Sequence, residues 1–362
     1  MILGIASGDR VPAKRSADGQ SHWGGAGWVR LGQYLPLLQE QDITSVVGTL
    51  VWNYTRFAID IGEDTRDLID VDVVYMQRMM HEGLIQHIKK AQETGQVILN
   101  DLDDWYWGLS PQNNAFQASH PTTSPKENII HYKAVLATSN AVTVSTPYLA
   151  ERISAFVRCP ITVLTNTVDV GRFTPVEHTD SNTPVVGWVG STNHRSSDLE
   201  VVSGIIKPLY DQGSIKLQHS GYHKNAPTIA SKWGLDDESV IAIPACDPES
   251  YPSLLTMDIG IAPLSDVPFN HAKSDIKLLE YSSAGIPWVA SDLPSYSSFA
   301  KDCGVGRVAK KNRGDNWVKH LNALRDPDVR ATEGKLLREA VWQRDIHVGA
   351  TKLADYLKSQ FP

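Results

Sequence analysis

Short apolar runs rich in β-branched residues alternate with helix-length segments along the whole chain, and about six such runs fall on each side of residue 180. Those of the first half are Ile2–Ser7, Ser45–Trp52, Val71–Arg78, Gln96–Leu102, Ala141–Thr146 and Ile161–Asn166. Those of the second half are Val185–Ser191, Ser214–Gly221, Ser239–Cys246, Asp258–Leu264, Pro287–Ser291 and Val305–Lys310. Most lack strict apolar–polar alternation, which indicates strands buried on both faces. The pattern predicts an α/β fold with two tandem doubly wound domains.

The size and composition of the chain agree with two globular domains. It has 362 residues, of which 41% are hydrophobic and 21% charged, and this length suits two domains of ordinary size. The formal net charge is −7. An acidic chain of this kind argues against a protein that binds nucleic acid by neutralising many phosphates, although a local basic site stays possible.

Cysteine content and hydropathy predict a cytoplasmic protein without a membrane span. The three cysteines are odd in number and widely spaced, which excludes a disulfide scaffold and a zinc ribbon and favours a reducing compartment. The first ten residues read as a strand, not as a signal peptide. No apolar stretch approaches the roughly 18–20 residues that cross a bilayer.

The predicted domain boundary lies near residue 180. Val170–Pro184 carries glycine and prolines among polar residues and has no periodic pattern, which is typical of an inter-domain linker. We therefore predict domains at residues 1–180 and 181–344. The segment 345–362 reads as a final helix with an apolar face, and the pattern alone lets it pack on either domain.

The sharpest candidate site is the stretch Asp266–Trp288. Ser274 is a good N-cap, Asp275 suits a first helical turn, and Gly285 followed by Pro287 predicts the end of the helix. Because the helix follows a strand, its amino end would present free amides and a positive dipole to an anion.

Three charged residues of this stretch predict a nucleotide-diphosphate site. Glu280 follows Lys277 by three residues and Lys273 by seven, so a continuous helix would carry all three on nearly one stripe. Lysines and amides would hold phosphates, and a carboxylate would accept hydrogen bonds from the two hydroxyls of a ribose. The alternative is a solvated helix start with a Lys277–Glu280 pair.

A glycine-rich turn follows the first predicted strand. The sequence His22–Trp28 contains Gly25 and Gly27, and glycines let a phosphate approach backbone amides closely. The spacing is not that of the dinucleotide fingerprint. The alternative is a plain strand-to-helix turn.

A second phosphate-facing turn is predicted after the first strand of the second half. Gly190 and Ser191 would form the turn, and Arg195 or His194 would add charge. A lone histidine in a loop such as His194 is more often a surface residue than a catalyst.

Carboxylates and aromatic residues follow the fourth predicted strand. The segment Asn100–Trp107 contains Asp101, Asp103 and Asp104 before three aromatic residues. Such a set suits a sugar, since acids accept from hydroxyls and rings stack on its apolar face. A divalent cation is an alternative, because paired aspartates bind hard cations, and a capped helix start with packed aromatics is another.

These segments resemble a known group of enzymes. Phe269–Pro287 looks like the donor half of GT-B-fold glycosyltransferases, close to glycosyltransferase family 4 (glycosyl transferases group 1), and the resemblance covers roughly residues 1–345. Other segments that look like the family's are Gly24–Gly27, Val73–Arg78, Asp101–Asp104, Val142–Ala150, Leu164–Phe173, Val185–Ser191 and Asp258–Leu264. The resemblance implies two Rossmann-like domains facing across a cleft, the acceptor side first and the donor side second. It also implies that the final helix packs back on the first domain.

The resemblance implies transfer of a sugar from a nucleotide-diphosphate sugar with retention, without an obligatory metal and with no cofactor beyond that co-substrate. Glu280 matches the second glutamate of the family's E-x7-E motif, which holds the ribose. The first glutamate falls at position 272, where this chain has Ala272. Asn270, His271 or the amides around 273–276 would replace it in the donor site.

The resemblance also implies roles for the remaining site residues. Lys277 or Lys273, with Arg195, corresponds to the family's basic pair on the diphosphate. Asp101 lies nearest to a histidine that touches the donor sugar in many members, with Asp103 and Asp104 behind it. The predicted catalytic residues are thus Asp101, Asp104 and Lys277. The predicted donor-binding residues are Gly25, Gly27, Gly190, Ser191, Arg195, Asn270, His271, Lys273, Ser274, Lys277 and Glu280.

Two other functions remain open from the sequence. A nucleotide-sugar epimerase or an inverting transferase on the same fold would need a base, for which Asp101 and Asp104 are the candidates. A non-catalytic nucleotide-sugar-binding protein would explain Ala272. The acceptor is not predicted and ranges from a glycan, lipid, small metabolite or protein to a modified nucleobase; the oligomeric state is not predicted either.

Overall fold

The computed structural model describes residues 2–16, 20–62, 65–111, 113–178, 180–192, 196–223 and 226–360. The backbone divides into two compact units. The first comprises Met1–Pro111, Ala115–Asn166 and Ile346–Pro362, and the second consists mainly of Thr167–Asp345.

Both units are built from strands and helices that alternate along the chain. The strands are β1 (Ile2–Ser7), β2 (Arg10–Val11), β3 (His22–Trp23), β4 (Thr44–Val47), β5 (Thr49–Asn53), β6 (Arg56–Asp60), β7 (Leu68–Asp70), β8 (Val73–Gln77), β9 (Val97–Leu102), β10 (Ala141–Val144), β11 (Ile161–Val163), β12 (Val185–Val189), β13 (Lys216–Tyr222), β14 (Val240–Pro244), β15 (Ile259–Ala262), β16 (Trp288–Ser291) and β17 (Arg307–Ala309). The α-helices are α1 (Gly25–Arg30), α2 (Leu35–Glu40), α3 (Leu84–Glu93), α4 (Asn114–Ser119), α5 (Ile129–Thr138), α6 (Pro147–Ile153), α7 (Ser196–Glu200), α8 (Ser203–Asp211), α9 (Ile229–Lys232), α10 (Pro268–His271), α11 (Ile276–Ser283), α12 (Pro294–Cys303), α13 (Gly314–Ala323), α14 (Pro327–Val341) and α15 (Ile346–Gln360).

The first unit contains a six-stranded sheet in the order β11-β10-β9-β8-β1-β4. Every neighbouring pair in it is parallel. The strand order reverses between β1 and β8, which pair from Leu3 opposite Val73 to Ser7 opposite Gln77. Ligands of open parallel sheets bind outside the carboxyl ends of the strands at such a reversal, so this edge is a candidate site.

The second unit contains another six-stranded parallel sheet, in the order β14-β13-β12-β15-β16-β17. Numbered from its own first strand, this order is 3-2-1-4-5-6, which is the Rossmann arrangement. Its order reverses between β12 and β15. The twelve strands of the two sheets overlap the twelve predicted runs, and the predicted α/β architecture of two doubly wound domains is confirmed.

One predicted strand is wrong in its extent. The run Ser45–Trp52 breaks at Gly48 into β4, which joins the parallel sheet, and β5, which pairs antiparallel with β6. The chain turns there in close contact, because a Cβ on Gly48 would lie 2.3 Å from the carbonyl oxygen of Asp60. The small antiparallel sheet β5-β6-β7 that results was not predicted.

Each unit buries apolar cores of its own. The predicted linker, Val170–Pro184, places Val170 and Phe173 in a core of the second unit, where both are almost fully buried. The last helix, α15, contributes to a core of the first unit with β1 and β8, and Leu353 and Leu357 are among its buried residues. Among the described residues, no helix combines the length and hydropathy needed to cross a membrane.

Candidate functional site

A tight glycine turn ends β12 at the strand-order reversal of the second unit. Gly190 has φ +143°, its amide donates to the carbonyl oxygen of Ser220 at 2.8 Å, and Ser191 follows it. On the neighbouring strand, Gly221 has φ +81°, and a Cβ there would lie 3.2 Å from the Gly190 nitrogen. Both positions favour glycine because L side chains rarely adopt such φ values. The pair lets the carboxyl ends of β12 and β13 meet backbone to backbone.

Helix α11 begins one residue later than the sequence predicts. Its N-cap is Asp275, not Ser274, and the Asp275 side chain makes no capping hydrogen bond. The Arg344 guanidinium instead donates two hydrogen bonds, both of 3.0 Å, to the Asp275 carboxylate. Burial raises the pKa of Asp275, and the nearby Arg344 opposes that rise. The helix ends before Gly285, which has φ +67°, as predicted.

The side chain of Lys277 lies at the end of β12. Its amine donates to the carbonyl oxygen of Val189 and lies 5.4 Å from the centroid of the Trp188 ring. A Cβ built on Gly190 would be 3.8 Å from this amine. The structure thus brings together two features that the sequence predicts for a phosphate site. They are the Gly190 turn and the Lys277 side chain of α11.

Glu280 lies one turn further along α11 and is held by Tyr251. The Tyr251 hydroxyl donates to Glu280 Oε2 at 2.6 Å. Burial raises the pKa of Glu280, while the charge of Lys277 and the hydrogen bond from Tyr251 act in the opposite direction. Burial also raises the pKa of Tyr251, and the neighbouring Glu280 raises it further. A tyrosine partner for Glu280 was not predicted from the sequence.

Lys273 does not share a helical stripe with these two residues. It lies in the short segment between α10 and α11, so Lys273 and Glu280 are not seven residues apart on one continuous helix. Its amine lies 4.5 Å from the centroid of the Phe269 ring. A break in the helix at 272–275 explains the difference, since the stripe requires one continuous helix.

The residues predicted to replace the missing glutamate are engaged in local contacts. Asn270 is 3% exposed, and its amide nitrogen donates to Asp198 Oδ1 at 2.6 Å and to the carbonyl oxygen of Ser265 at 2.9 Å. His271 Nε2 lies 2.6 Å from an oxygen of the exposed Asp266. Ala272 itself is fully buried. Asn270 therefore stabilises the loop after β15 through these hydrogen bonds. Arg195 lies outside the described residues.

In the first unit, the glycine turn encloses a carboxylate. The Gly27 amide donates to Asp9 Oδ2 at 2.8 Å, and the Gly24 amide donates to the Asp9 carbonyl oxygen at 2.6 Å. A Cβ on Gly24 would lie 2.4 Å from the Asp9 carboxylate, whereas one on Gly25 would meet nothing within 4 Å. At Gly27, the amide predicted to meet a donor phosphate is thus bound by a side chain of the protein itself, whereas the surroundings of Gly25 are open.

Asp9 pairs with Arg78 where the strand order of the first sheet reverses. The Arg78 guanidinium lies 2.5 Å from Asp9 Oδ1 and 5.6 Å above the Tyr106 ring. Burial alone would lower the pKa of Arg78, but Tyr106, Asp9, Asp103 and Asp104 together raise it above its ordinary value. This pair was not predicted from the sequence, although Arg78 directly follows β8 and Asp9 comes two residues after β1.

Asp101 is part of a fully buried ion pair. The Arg30 guanidinium donates to its two oxygens at 2.6 and 3.0 Å, and the Thr143 hydroxyl donates to Asp101 Oδ1 at 2.7 Å. Arg30 also donates to Asn166 Oδ1 at 2.8 Å. Asp101 is 0% exposed, and both of its oxygens accept hydrogen bonds from protein side chains. Asp104, by contrast, is half-buried.

No group of three or more histidine, cysteine, aspartate or glutamate side chains among the described residues is arranged to hold a metal ion.

In the second unit, an open pocket of about 620 Å³ lies between the segments 172–177 and 249–256. None of the predicted donor residues that the structure describes lines this pocket, although Tyr251 belongs to the same short helix as its residues Pro252 and Ser253.

Solved structures with the same fold are similar over nearly the whole chain. A sucrose-phosphate synthase from Thermosynechococcus elongatus is 13% identical, with 99% of each chain covered and a TM-score of 0.65. HepE from Anabaena, solved with UDP and glucose, is 14% identical, with 99% of each chain covered and a TM-score of 0.61. A putative UDP-N-acetylglucosamine 2-epimerase from Listeria monocytogenes is 11% identical, covers 99% of this chain and 96% of its own, and has a TM-score of 0.53.

These similarities confirm the fold as GT-B, with two Rossmann-like domains. No family model matches the chain, and no curated protein matches it. The resemblance to glycosyltransferase family 4 in particular therefore stays a prediction.

Proposed function

We propose that the protein is a glycosyltransferase that takes a sugar from a nucleotide-diphosphate sugar held by the second unit. The observation that carries the proposal is the order of groups along α11. The Lys277 amine lies beside the Gly190 turn, and the Glu280 carboxylate lies one helical turn later. Three residues rise about 4.5 Å along a helix axis, so a cation and a carboxylate are neighbours on α11 in the order of a diphosphate and its ribose.

The electrostatics at the start of α11 suit a departing diphosphate. The carboxylate of Asp275 at the helix start is matched by Arg344, so it does not cancel the positive end of the helix dipole. Lys277 adds a full charge on the same side. When the bond between the sugar carbon and the phosphate oxygen breaks, the diphosphate leaves with the electron pair, and these groups stabilise the charge that develops on it.

Glu280 is the proposed ribose ligand. Tyr251 donates to Oε2, which fixes the carboxylate and leaves Oε1 to accept from a ribose hydroxyl. UDP is the first nucleotide to test, because the similar HepE structure contains UDP.

We further propose transfer with retention and without an obligatory metal. In that route the acceptor oxygen bonds to the sugar carbon on the face that the diphosphate leaves, and the acceptor proton passes to the departing phosphate oxygen. A dedicated protein base is then not needed, which agrees with the buried ion pair that engages Asp101. The strand-order reversal of the first sheet, where Asp9 pairs with Arg78, is a second candidate ligand edge within the first unit.

The epimerase alternative is favoured by one observation, the similarity to the putative UDP-N-acetylglucosamine 2-epimerase. Its TM-score of 0.53 is lower than the 0.65 and 0.61 of the two other structures described. An epimerase inverts a stereocentre of the donor sugar and needs no acceptor, whereas a transferase forms a new glycosidic bond.

The test is a donor assay with UDP-glucose, GDP-glucose and ADP-glucose and a panel of hydroxyl acceptors. We expect release of the nucleoside diphosphate that rises with the correct acceptor, persists in a chelator and gives a product with the anomeric configuration of the donor. A new sugar isomer formed without acceptor would favour the epimerase. A protein that binds none of the nucleoside diphosphates would contradict the proposed function itself.

A further inference from the structure

A buried histidine supports the glycine turn that follows β12. His219 lies in β13 and is 1% exposed. Its Nε2 lies 2.9 Å from the carbonyl oxygen of Gly190. Its other ring nitrogen, Nδ1, is buried and has no hydrogen-bond partner among the residues that the structure describes. This role was not predicted from the sequence, because His219 lies within a run that predicts only a strand.

These contacts determine the protonation state of the ring. A carbonyl oxygen only accepts hydrogen bonds, so Nε2 must carry the hydrogen and donate it to Gly190. Nδ1 then keeps a lone pair, and the ring is neutral. A second hydrogen on Nδ1 would be buried without an acceptor, which is costly.

The surroundings of the ring favour the same neutral form. Burial lowers the pKa of His219, the Gly190 carbonyl opposes this, and the charges of His223 and Lys277 lower the pKa again. The ring is also confined by its neighbours, since the Trp188 and Tyr222 rings lie 5.3 and 5.9 Å away. His219 is thus a fixed, neutral donor aimed at one carbonyl group.

The orientation of the Gly190 carbonyl group determines the orientation of the Gly190–Ser191 peptide. The peptide group is planar and trans, so the amide of Ser191 points in the direction opposite to the Gly190 carbonyl. Glycine has little intrinsic preference between the orientations of such a peptide. The hydrogen bond from His219 therefore selects one orientation of the Gly190–Ser191 peptide in a turn that also lies against the Lys277 amine.

We propose that His219 is a positioning residue for the donor diphosphate. It holds the Gly190–Ser191 peptide in the orientation in which this turn and Lys277 together receive the phosphates. The inference rests on the proposed function, because it assigns a supporting residue to the same site. His219 does not touch the reacting atoms, and its effect passes through Gly190.

The test compares two variants of His219. His219→Gln places an amide nitrogen at the same number of bonds from the backbone as Nε2, whereas His219→Leu has a similar volume and no donor. UDP and uridine affinities are measured by calorimetry for both variants and for the wild type. We expect His219→Leu to weaken UDP binding about tenfold, the loss of roughly one hydrogen bond, with uridine binding unchanged, and His219→Gln to restore most of the UDP affinity.

The outcomes separate this inference from the proposed function. A wild-type protein that binds no nucleoside diphosphate contradicts the proposed function. A wild type that binds UDP and a His219→Leu variant that binds it equally well contradict the inference alone, as does an equal loss for UDP and uridine.

A second measurement does not depend on the folding of variants. The ¹⁵N shifts of the His219 ring in the wild type report its tautomer directly. We expect a neutral ring with the hydrogen on Nε2 at neutral pH. A ring protonated on Nδ1 would overturn the inference.

Discussion

At the scale of single residues, Asp101 illustrates how a buried ion pair differs from a catalytic carboxylate. The sequence predicts a functional role for Asp101 because this residue lies near the end of a predicted strand, among other acidic and aromatic residues. The structure directs both oxygens toward Arg30 and Thr143. A carboxylate whose oxygens are occupied in this way, and which is fully buried, stabilises the fold instead of accepting a proton from a substrate.

Asp101→Asn should therefore cost stability. Removing the charge leaves the Arg30 guanidinium buried without its counter-charge, and we expect the free energy of unfolding to fall by about 3 kcal/mol. Asp104→Asn, at a half-buried position, is the control and should lower it by a smaller amount, because a partly exposed carboxylate is still hydrated. Chemical denaturation of both variants checks this. A stable Asp101→Asn protein that binds UDP but no longer transfers the sugar would indicate that Asp101 is a catalytic residue.

Tyr251→Phe should shift the pH dependence of ribose binding. Glu280 accepts from hydroxyls when ionised, so uridine affinity is present above its pKa and falls as the pH drops through it. Burial raises that pKa above the ordinary value of 4.5, and the Tyr251 hydrogen bond moderates the rise. Without the hydroxyl, the loss of affinity should begin at a higher pH than in the wild type.

Uridine titrations over a pH series measure the shift, with Tyr54→Phe as the control, since Tyr54 is 91% exposed. Identical pH profiles for Tyr251→Phe and the wild type would show that Tyr251 does not tune Glu280.

The placement of Lys277 and Glu280 on one helix was predictable from their spacing in the sequence. Asp9, Arg78 and His219 were not, because their roles depend on which strands become neighbours. Arg78 meets Asp9 only because β8 pairs with β1. His219 meets Gly190 only because β13 pairs with β12.

At the scale of elements, the contact between Gly190 and Gly221 joins the carboxyl ends of two strands. Gly221→Ala adds a Cβ 3.2 Å from the Gly190 nitrogen at a φ of +81°. We expect about 1–2 kcal/mol of backbone strain, together with a displaced Gly190 turn and weaker UDP binding.

Gly234→Ala is a matched control, because Gly234 has φ +67° and a Cβ there would meet nothing within 4 Å. It should lose a similar amount of stability and keep its UDP affinity. Thermal unfolding and UDP titrations of the two variants separate strain from position. Equal UDP affinities would argue that the turn does not contact the nucleotide.

The elements themselves were largely predictable. Apolar runs without alternation identified the strands of both parallel sheets, since strands buried on two faces have that pattern. The break at Gly48 and the start of α11 at Ile276 were not, because a close backbone approach and a side-chain pair such as Asp275–Arg344 depend on tertiary contacts.

At the scale of the whole molecule, the last helix connects the end of the chain to the core of the first unit. Leu357 of α15 is fully buried there. Leu357→Ala should lower the free energy of unfolding by about 3 kcal/mol through lost burial and the cavity that remains.

Leu336→Ala on α14 is the control, because Leu336 is 45% exposed, and it should cost about 0.5 kcal/mol or less. Denaturation of both variants, with UDP affinity measured alongside, checks the assignment. We expect UDP binding to be unchanged in the folded Leu357→Ala protein. An equal, small cost for both leucines would contradict the packing of α15.

The two sheets of six strands give the chain the GT-B architecture, and the proposed function depends on helix α11 of the second unit. We propose that Lys277 binds the diphosphate of the donor nucleotide. Calorimetric titration of UDP and of uridine into the wild type, Lys277→Ala and Lys207→Ala measures the contribution of this lysine. Lys207 is a control on the exposed face of α8, where it pairs with Asp211. We predict that Lys277→Ala weakens UDP binding about 10- to 100-fold, as expected for a hydrogen-bonded charge, and leaves uridine binding and the Lys207→Ala protein unchanged. Unchanged UDP affinity in Lys277→Ala, or equal losses for UDP and uridine, would contradict the claim.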